Sequence, residues 1–378
     1  MFSRLFNLFN KSNTGVGLDI SDRSIKVLAL KKQGNSLIFA EAFGYATIEE
    51  GIVENGKILD AQKLGGALKE AFEKAEPRSI QNRRVLLAIP ESRAFIDIYR
   101  VSDTLDGKEL EDKIRELSAE SLPFEPEALN FDFREVGRDV NKKEKEILFV
   151  ASPREVVDKY LEALESAGLE PVVFDIESAS LVRALIEKEN KDQSTAILDM
   201  GARTTNLSIG ERGEIRLSAT IQTGGNHLTE TIAKTFKLSF EDADRLKISL
   251  GAEEKMGENK ILSILDGFCS PVIEEIKTQI NYYQNATGRK IEEMIICGGS
   301  SLMAGIDACL EKKLGMRIKR VNPWKKWNID IASKSGKIDF KKEDPILFST
   351  VIGLALRGID KNAQDAGINL LDFKGQKL

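Results

Sequence analysis

Histidine and cysteine are scarce: the 378 residues hold one histidine, His227, and three cysteines, Cys269, Cys297 and Cys309. None falls in a CxxC or HxxxH spacing, which argues against a structural zinc site. A sparse, odd cysteine set suits a reducing compartment. Long apolar runs are missing too. A membrane span requires roughly 20 such residues. The best candidate, Ile346 to Leu356, is too short and carries Ser349, Thr350 and Gly353. The amino terminus lacks the signal-peptide pattern of charge followed by a long apolar stretch and a small-residue cleavage site. Positive charge is not in excess either, the net value being −5, so nothing points to a nucleic-acid partner. The expectation is a cytoplasmic protein of ordinary composition, with 42% hydrophobic and 30% charged residues. The chain is long enough for two or three domains.

What is present is a repeat. The stretch from Gly17 to Leu30 opens Gly-Leu-Asp-Ile-Ser-Asp-Arg-Ser, and that from Ile197 to Gly210 opens Ile-Leu-Asp-Met-Gly-Ala-Arg-Thr. Each has Leu-Asp, an apolar residue, two small or polar residues, Arg and a hydroxyl residue. Each then alternates apolar and polar as a half-buried strand does. Both read as β-hairpins whose turns offer N–H and O–H donors that can wrap phosphate oxygens. The aspartate ending the first strand, Asp19 or Asp199, can hold Mg²⁺ directly or through water. Two such hairpins opening two halves of one chain suggest a duplicated fold with a ligand clamped between lobes.

A third segment, Met294 to Ile306, runs an apolar strand into Gly298-Gly299-Ser300-Ser301, with a helix expected from about Leu302. Glycines there allow close backbone approach, and a helix N-terminus favours negative charge. Between the two hairpins, Arg84 to Ile89, Ala94 to Val101, Ala128 to Val136 and Glu146 to Ser152 are strand-like, and Lys108 to Ser121 and Arg154 to Gly168 helix-like.

In this order the three segments resemble the phosphate-1, phosphate-2 and adenosine motifs of the actin, Hsp70 and sugar-kinase superfamily. Further stretches resemble the PilM family of type IV pilus assembly proteins, with FtsA next. They are Gly224 to Glu230 followed by Leu238 to Lys247, Ser121 to Phe133, and Val351 to Arg357. The resemblance covers roughly residues 13 to 358. It implies an α/β fold of two actin-like lobes (ribonuclease H-like, duplicated) with an inserted α+β subdomain in the first. The expected layout is an amphipathic segment over 1–12, the first lobe from 13–82, the insert over 83–168, and a return carrying the second hairpin over 169–220. The second lobe with the adenosine motif follows over 221–358, and a linker and tail over 359–378.

The resemblance implies ATP and Mg²⁺ as ligands. Asp19 and Asp199 become metal or water ligands; Ser21, Ser24, Lys26, Gly201, Thr204 and Thr205 approach the phosphates. Gly225, Lys247, Gly298, Gly299 and Ser300 lie toward ribose and base, with Glu230 or Asp244 as further candidates. Ser21 and Asp22 depart from the family's small turn residues. Serine there would shift the turn, and Asp22 would bring like charge toward phosphate unless Arg23 offset it. Hydrolysis would need a group that orients water. Glu177, assisted by Asp199, is the candidate; capping the helix that begins near Ser178 is the alternative role. His227 reads as a surface or capping residue.

PilM-like proteins are scaffolds of the pilus inner-membrane platform. The resemblance therefore implies other platform proteins as partners, peripheral association with the inner membrane, and binding of a PilN-like bitopic protein. The short N-terminal peptide of such a protein resembles Ile-Asn-Leu-Leu-Pro. This chain's own Ile368-Asn369-Leu370-Leu371 matches that pattern, so one reading docks the tail in its own groove or a neighbour's; the other is a chance match or a disordered tail. Phe124 and Phe95 are candidate groove residues, or core. At the other end, Phe2, Leu5, Phe6 and Phe9 share a helical face beside Arg4 and Lys11, for a membrane surface or for docking. An FtsA-like division tether, a sugar kinase and a type II secretion relative are the alternative readings. The tether would carry an amphipathic basic helix at its end, and no kinase signature is visible.

Overall fold

The segments Thr14–Ile20, Arg84–Ile89, Ser194–Met200 and Thr205–Glu211 are strands buried on both faces, as central strands of sheets covered by helices require. The computed structural model describes residues 13–34, 37–186, 193–250, 259–330, 332–333, 336–337, 345–360 and 366–371. The expected N-terminal amphipathic segment and the linker 361–365 lie outside them. The chain divides into two units: Met1–Ala184, Pro323–Phe340 and Phe348–Leu378 in one, Leu185–Asn322 and Lys341–Leu347 in the other.

In unit 1, β1 (Thr14–Ile20), β2 (Ser24–Gln33) and β3 (Leu37–Thr47) form an antiparallel ribbon. A parallel strand, β4 (Arg84–Ile89), joins on the other side of β1. Helix α1 (Ala61–Glu73) starts where Asp60 accepts from the Lys63 N–H at 2.9 Å, an N-cap. It buries Leu64, Leu68, Ala71 and Phe72. The chain then leaves the sheet for β5 (Phe95–Ser102), α2 (Gly107–Ser121), β6 (Leu129–Asp139) and β7 (Glu144–Pro153). These strands make their own antiparallel sheet, in the order β5-β7-β6. Its core is Tyr99, Val101, Ile114, Phe131, Ile147 and Phe149. Phe95 and Phe124 meet edge to face, centroids 5.6 Å apart, with Phe95 packed on that core.

Helix α3 (Arg154–Ser166) returns to the main sheet, and β8 (Glu170–Ile176) adds parallel to β4 at its edge. Helix α4 (Glu177–Leu185) leads out. Arg84–Ile89, grouped with the insert in the sequence, pairs inside the main sheet. Strand pairing across about 65 residues outweighs adjacency in sequence here. The terminal helix, Ser349–Gly358, packs on β1. A Cβ at Gly17 would lie 2.4 Å from the Val351 carbonyl oxygen, and one at Gly15 2.3 Å from that of Ala355. The backbones touch, and only glycine fits.

Unit 2 repeats the plan. Strands β9 (Ser194–Met200), β10 (Thr205–Glu211) and β11 (Glu214–Ile221) are antiparallel; β12 (Ile291–Cys297) and β13 (Arg317–Lys319) continue from β9 in parallel. The order β11-β10-β9-β12-β13 mirrors β3-β2-β1-β4-β8. Helices α5 (Gly225–Phe236), α6 (Phe240–Leu250), α7 (Asn259–Thr287) and α8 (Ile306–Leu314) accompany it. Val272, Ile276 and Ile280 of α7 meet Leu207, Ile209 and Ile296 in the core. The helix expected near Leu302 starts at Ile306. A 3-10 turn, Gly299–Leu302, and Gly305 at φ +71° intervene. Among the described residues no helix is long and apolar enough to cross a membrane.

Candidate functional site

Both hairpins share the same closing backbone bond. The Ser21 N–H donates to the Ser24 carbonyl at 2.9 Å, and the Gly201 N–H to the Thr204 carbonyl at 3.0 Å. Positive φ among the described non-glycine residues is confined to Asn55, Lys143, Arg212, Lys237 and Asn328, and Gly201 is not among the positive-φ glycines. Serine at position 21 thus fits the same turn as Gly201, and the expected shift does not occur. The Ser21 and Ser24 hydroxyls stand 3.0 Å apart at the exposed tip.

Asp22 does not carry its charge forward unpaired. Its carboxylate accepts from the N–H groups of Asn55 and Gly56, both at 2.9 Å. That Asn-Gly pair, with φ of 48° and 71°, is a two-residue hairpin loop. The dipeptide was the signal in the sequence that could have located it. Arg93 Nε and Ser92 Oγ donate to the Asn55 carbonyl at 2.8 and 3.2 Å. Asp19, at the end of β1, pairs with Lys26 across the hairpin at 3.6 Å.

Glu177 heads α4, but the helix is capped by another residue. Glu91, 4% exposed, accepts from the Ser178 N–H at 2.9 Å through one oxygen. Its own N–H donates to Glu177 Oε2 at 3.2 Å. Nothing in the spacing of the sequence joins residues 86 apart. The fully buried Tyr160 phenol has its pKa pushed up by burial first, then by the negative charges of Glu177, Asp22 and Asp19. The Tyr160 O–H donates to the carbonyl of Gly56 at 3.0 Å, the residue whose N–H meets Asp22.

Unit 2 brings its predicted residues together more tightly. The Gly225 N–H donates to the Gly201 carbonyl at 2.9 Å, and Asn226 N–H to that of Ala202 at 2.7 Å, fastening the start of α5 to the turn. Ser300 Oγ donates to the same Gly201 carbonyl at 3.3 Å. A Cβ on Gly225 would come within 2.1 Å of Ser300 Oγ and 3.3 Å of Lys247 Nζ. Lys247, 8% exposed, donates to Asp244 at 2.6 Å and Thr229 Oγ1 at 2.9 Å. Gly298, φ +81°, has no room for a Cβ, which would meet Asp199 Oδ1 at 2.3 Å. Thr205 is buried, its hydroxyl donating to the Thr223 carbonyl at 2.8 Å. Gly299 and Glu230 are exposed, as is His227.

One residue escaped the sequence reading. Asn206 is the cross-strand neighbour of Asp199 and 8% exposed, and among the described residues its Oδ1 has no hydrogen-bond partner. Its place directly opposite the turn aspartate was the available signal, since such pairs share a face.

A three-stranded ribbon continued by parallel strands, present twice and opening each time on an aspartate-led turn, defines the class: an α/β protein of the duplicated actin-like fold. The model of the family described as type IV pilus assembly protein PilM matches residues 17–359. The chain belongs to that family, which sets the division-tether and kinase readings aside. A solved PilM–PilN type IV pilus biogenesis complex contains a chain similar to this one over 92% of its length and 98% of that chain, with a TM-score of 0.79 at 24% identity. MreB5 of Spiroplasma citri bound to AMPPNP aligns over 93% and 98%, with a TM-score of 0.53 at 17% identity. Cell division protein FtsA of Streptococcus pneumoniae serotype 2 (strain D39 / NCTC 7466) is 22% identical over 347 residues, 81% of this chain and 75% of FtsA. At these identities the structural likeness speaks for the fold alone.

Proposed function

We propose that this protein of the type IV pilus assembly platform is a nucleotide-binding cytoplasmic scaffold, held at the inner membrane by a PilN-like bitopic protein whose N-terminal peptide it grips. The observation that carries nucleotide binding is the convergence of Gly201, Gly225, Lys247 and Ser300 in unit 2. Gly225 brings the start of α5 against Ser300 and Lys247, a Cβ on Gly299 would meet nothing within 4 Å, and the nearly buried ammonium of Lys247, paired with Asp244, supplies a cation. MreB5 of the same fold binds AMPPNP, which supports the reading.

In this reading the Gly201–Thr204 turn and Lys247 bind the nucleotide, while Gly298, Gly299 and Ser300 let its adenosine approach the backbone. Ser21, Ser24 and Lys26 form the matching donor set of unit 1. The donors fit a magnesium ion: Asp199 and the unpartnered Asn206 Oδ1 are hard oxygen ligands on one face. They would hold it directly or through water, and when bound it would offset phosphate charge. Among the described residues no group of three or more His, Cys, Asp or Glu could hold a metal alone, so phosphate and water would complete its shell. Glu177 is the residue that would orient water.

Calorimetric titration with Mg·ATP tests this. Saturable binding weakened at least tenfold in Lys247→Met is expected, as loss of a charged hydrogen bond costs about 1.5–3 kcal/mol. Absence of binding to the folded protein would sink it. For the partner, titration with the cytoplasmic N-terminal peptide of a PilN-like protein should saturate.

A further inference from the structure

The edge of the main sheet in unit 1 is not bare. Strand β8 has its outer side occupied by the chain's own residues 368–371. The Leu370 N–H donates to the Phe174 carbonyl at 2.9 Å, and the Phe174 N–H is taken by Asn369 Oδ1 at 3.0 Å. That amide oxygen also accepts from the Leu371 N–H at 3.2 Å. From the inserted sheet, Asn130 Nδ2 donates to the Leu370 carbonyl at 3.0 Å, and Asp132 Oδ2 accepts from the Asn369 N–H at 2.9 Å. Arg357 Nη1 donates to the Ile368 carbonyl at 2.6 Å. Ile368, Asn369 and Leu370 are 1%, 4% and 0% exposed.

One backbone bond and the Asn369 amide hold the segment against the edge of β8, while buried apolar side chains and the asparagine make the contact depend on sequence. The groove reads three features. Two apolar side chains are buried, and an asparagine satisfies two N–H donors at once. The wall is already arranged: buried Asp175 fixes Arg357 at 2.8 Å and Arg183 at 3.1 Å.

We propose that this groove is a peptide-recognition site and that residues 368–371 are a built-in latch. The latch must leave before an extended partner peptide of the same apolar–Asn–Leu pattern can bind. The proposal rests on the peptide-gripping function above and adds its regulation. Only eight residues separate Gly358, which ends the terminal helix, from Gly367. Such a short tether sets an effective concentration on the order of millimolar. Against a peptide of roughly 10 μM intrinsic affinity, the latch lowers apparent affinity about 100-fold. A partner therefore competes only when it is itself tethered or multivalent.

The test uses the full-length chain and a fluorescent peptide spanning residues 366–373, read by anisotropy. The wild type should bind weakly. The released-latch variant Asn369→Ala/Leu370→Asp should bind at least tenfold more tightly, and Asn130→Ala added to it should reverse the gain. Equal binding by wild type and released variant overturns the latch. If the released variant does not fold, hydrogen exchange on the unmodified protein decides. Leu370 and Asn369 amides exchanging much faster than those of Val16 and Leu18 support it; equal rates mean a fixed element of the fold and overturn it. A released variant that binds its own peptide but not a PilN-like one keeps the latch and sinks the partner assignment.

Discussion

Replacing Asp175 by asparagine isolates the most deeply buried charges of unit 1. Asp175 and Arg357 side chains are both 0% exposed and 2.8 Å apart, and Arg183 adds a second cation at 3.1 Å. Breaking a buried pair by removing one partner costs about 3–5 kcal/mol, because the other charge stays buried without compensation. Asp175→Asn takes the carboxylate from two guanidiniums at once, leaving them only their other contacts, including the Gly353 and Ile368 carbonyls, which places it near the upper end. Arg357→Met leaves Arg183 in place and should cost about 3 kcal/mol, including the bond to Ile368. For a unit of this size, that corresponds to Tm falling by about 2–4 °C per kcal/mol. The pH dependence has a definite sign. Burial pushes the Asp175 carboxyl up, but Arg357 and then Arg183 outweigh it and hold it below its usual range. A lowered carboxyl contributes stability above the unfolded value of about 3.9 and loses it as pH falls through the folded value. Urea denaturation of wild type and Asp175→Asn at pH 7 and pH 3 should show a gap that shrinks on the acid side. A loss below about 1 kcal/mol at pH 7, or a gap unchanged at pH 3, would refute the reasoning.

Other outcomes follow from single sites. Gly17→Val must displace the terminal helix and should cost about 3 kcal/mol or more by overpacking, measured as a lower urea midpoint. Asn206→Leu removes an unpartnered buried oxygen, so stability should be unchanged or higher; the Mg²⁺ dependence of ATP binding, followed by calorimetry, should weaken. The Cys269 S–H donates to the Cys309 sulfur, which with Lys313 nearby brings the Cys309 thiol down to about 6 despite burial; Cys269 is pushed up. Iodoacetamide should therefore modify Cys309 before Cys269, with a rate rising through pH 6, read by peptide mass spectrometry; preferential labelling of Cys269 would contradict the assignment.

The hairpin repeat was legible because its chemistry is local: Leu-Asp, a four-residue turn and an alternating strand lie within fourteen residues, and β1 and β9 follow them closely. The glycines and Lys247 were reachable through resemblance. Several contacts were not legible, for a common physical reason. Asp22 meets Asn55 and Gly56, and Glu91 meets Glu177 and Ser178, only after the sheet has brought distant turns together. The placing of Arg84–Ile89 in the main sheet is of the same kind. A strand's partner is set by tertiary pairing, which its own pattern does not encode.

The glycine seam between β1 and the terminal helix bears on how the protein is made. The strand at the centre of the first sheet leaves the ribosome long before the helix that covers it. At 5–20 residues per second the wait is roughly 20–70 s. Nearly all of unit 2 is one uninterrupted stretch, Leu185–Asn322, which emerges inside that interval. The amino-terminal unit is therefore the second to finish folding, and during synthesis the apolar face of β1 is a client for chaperones.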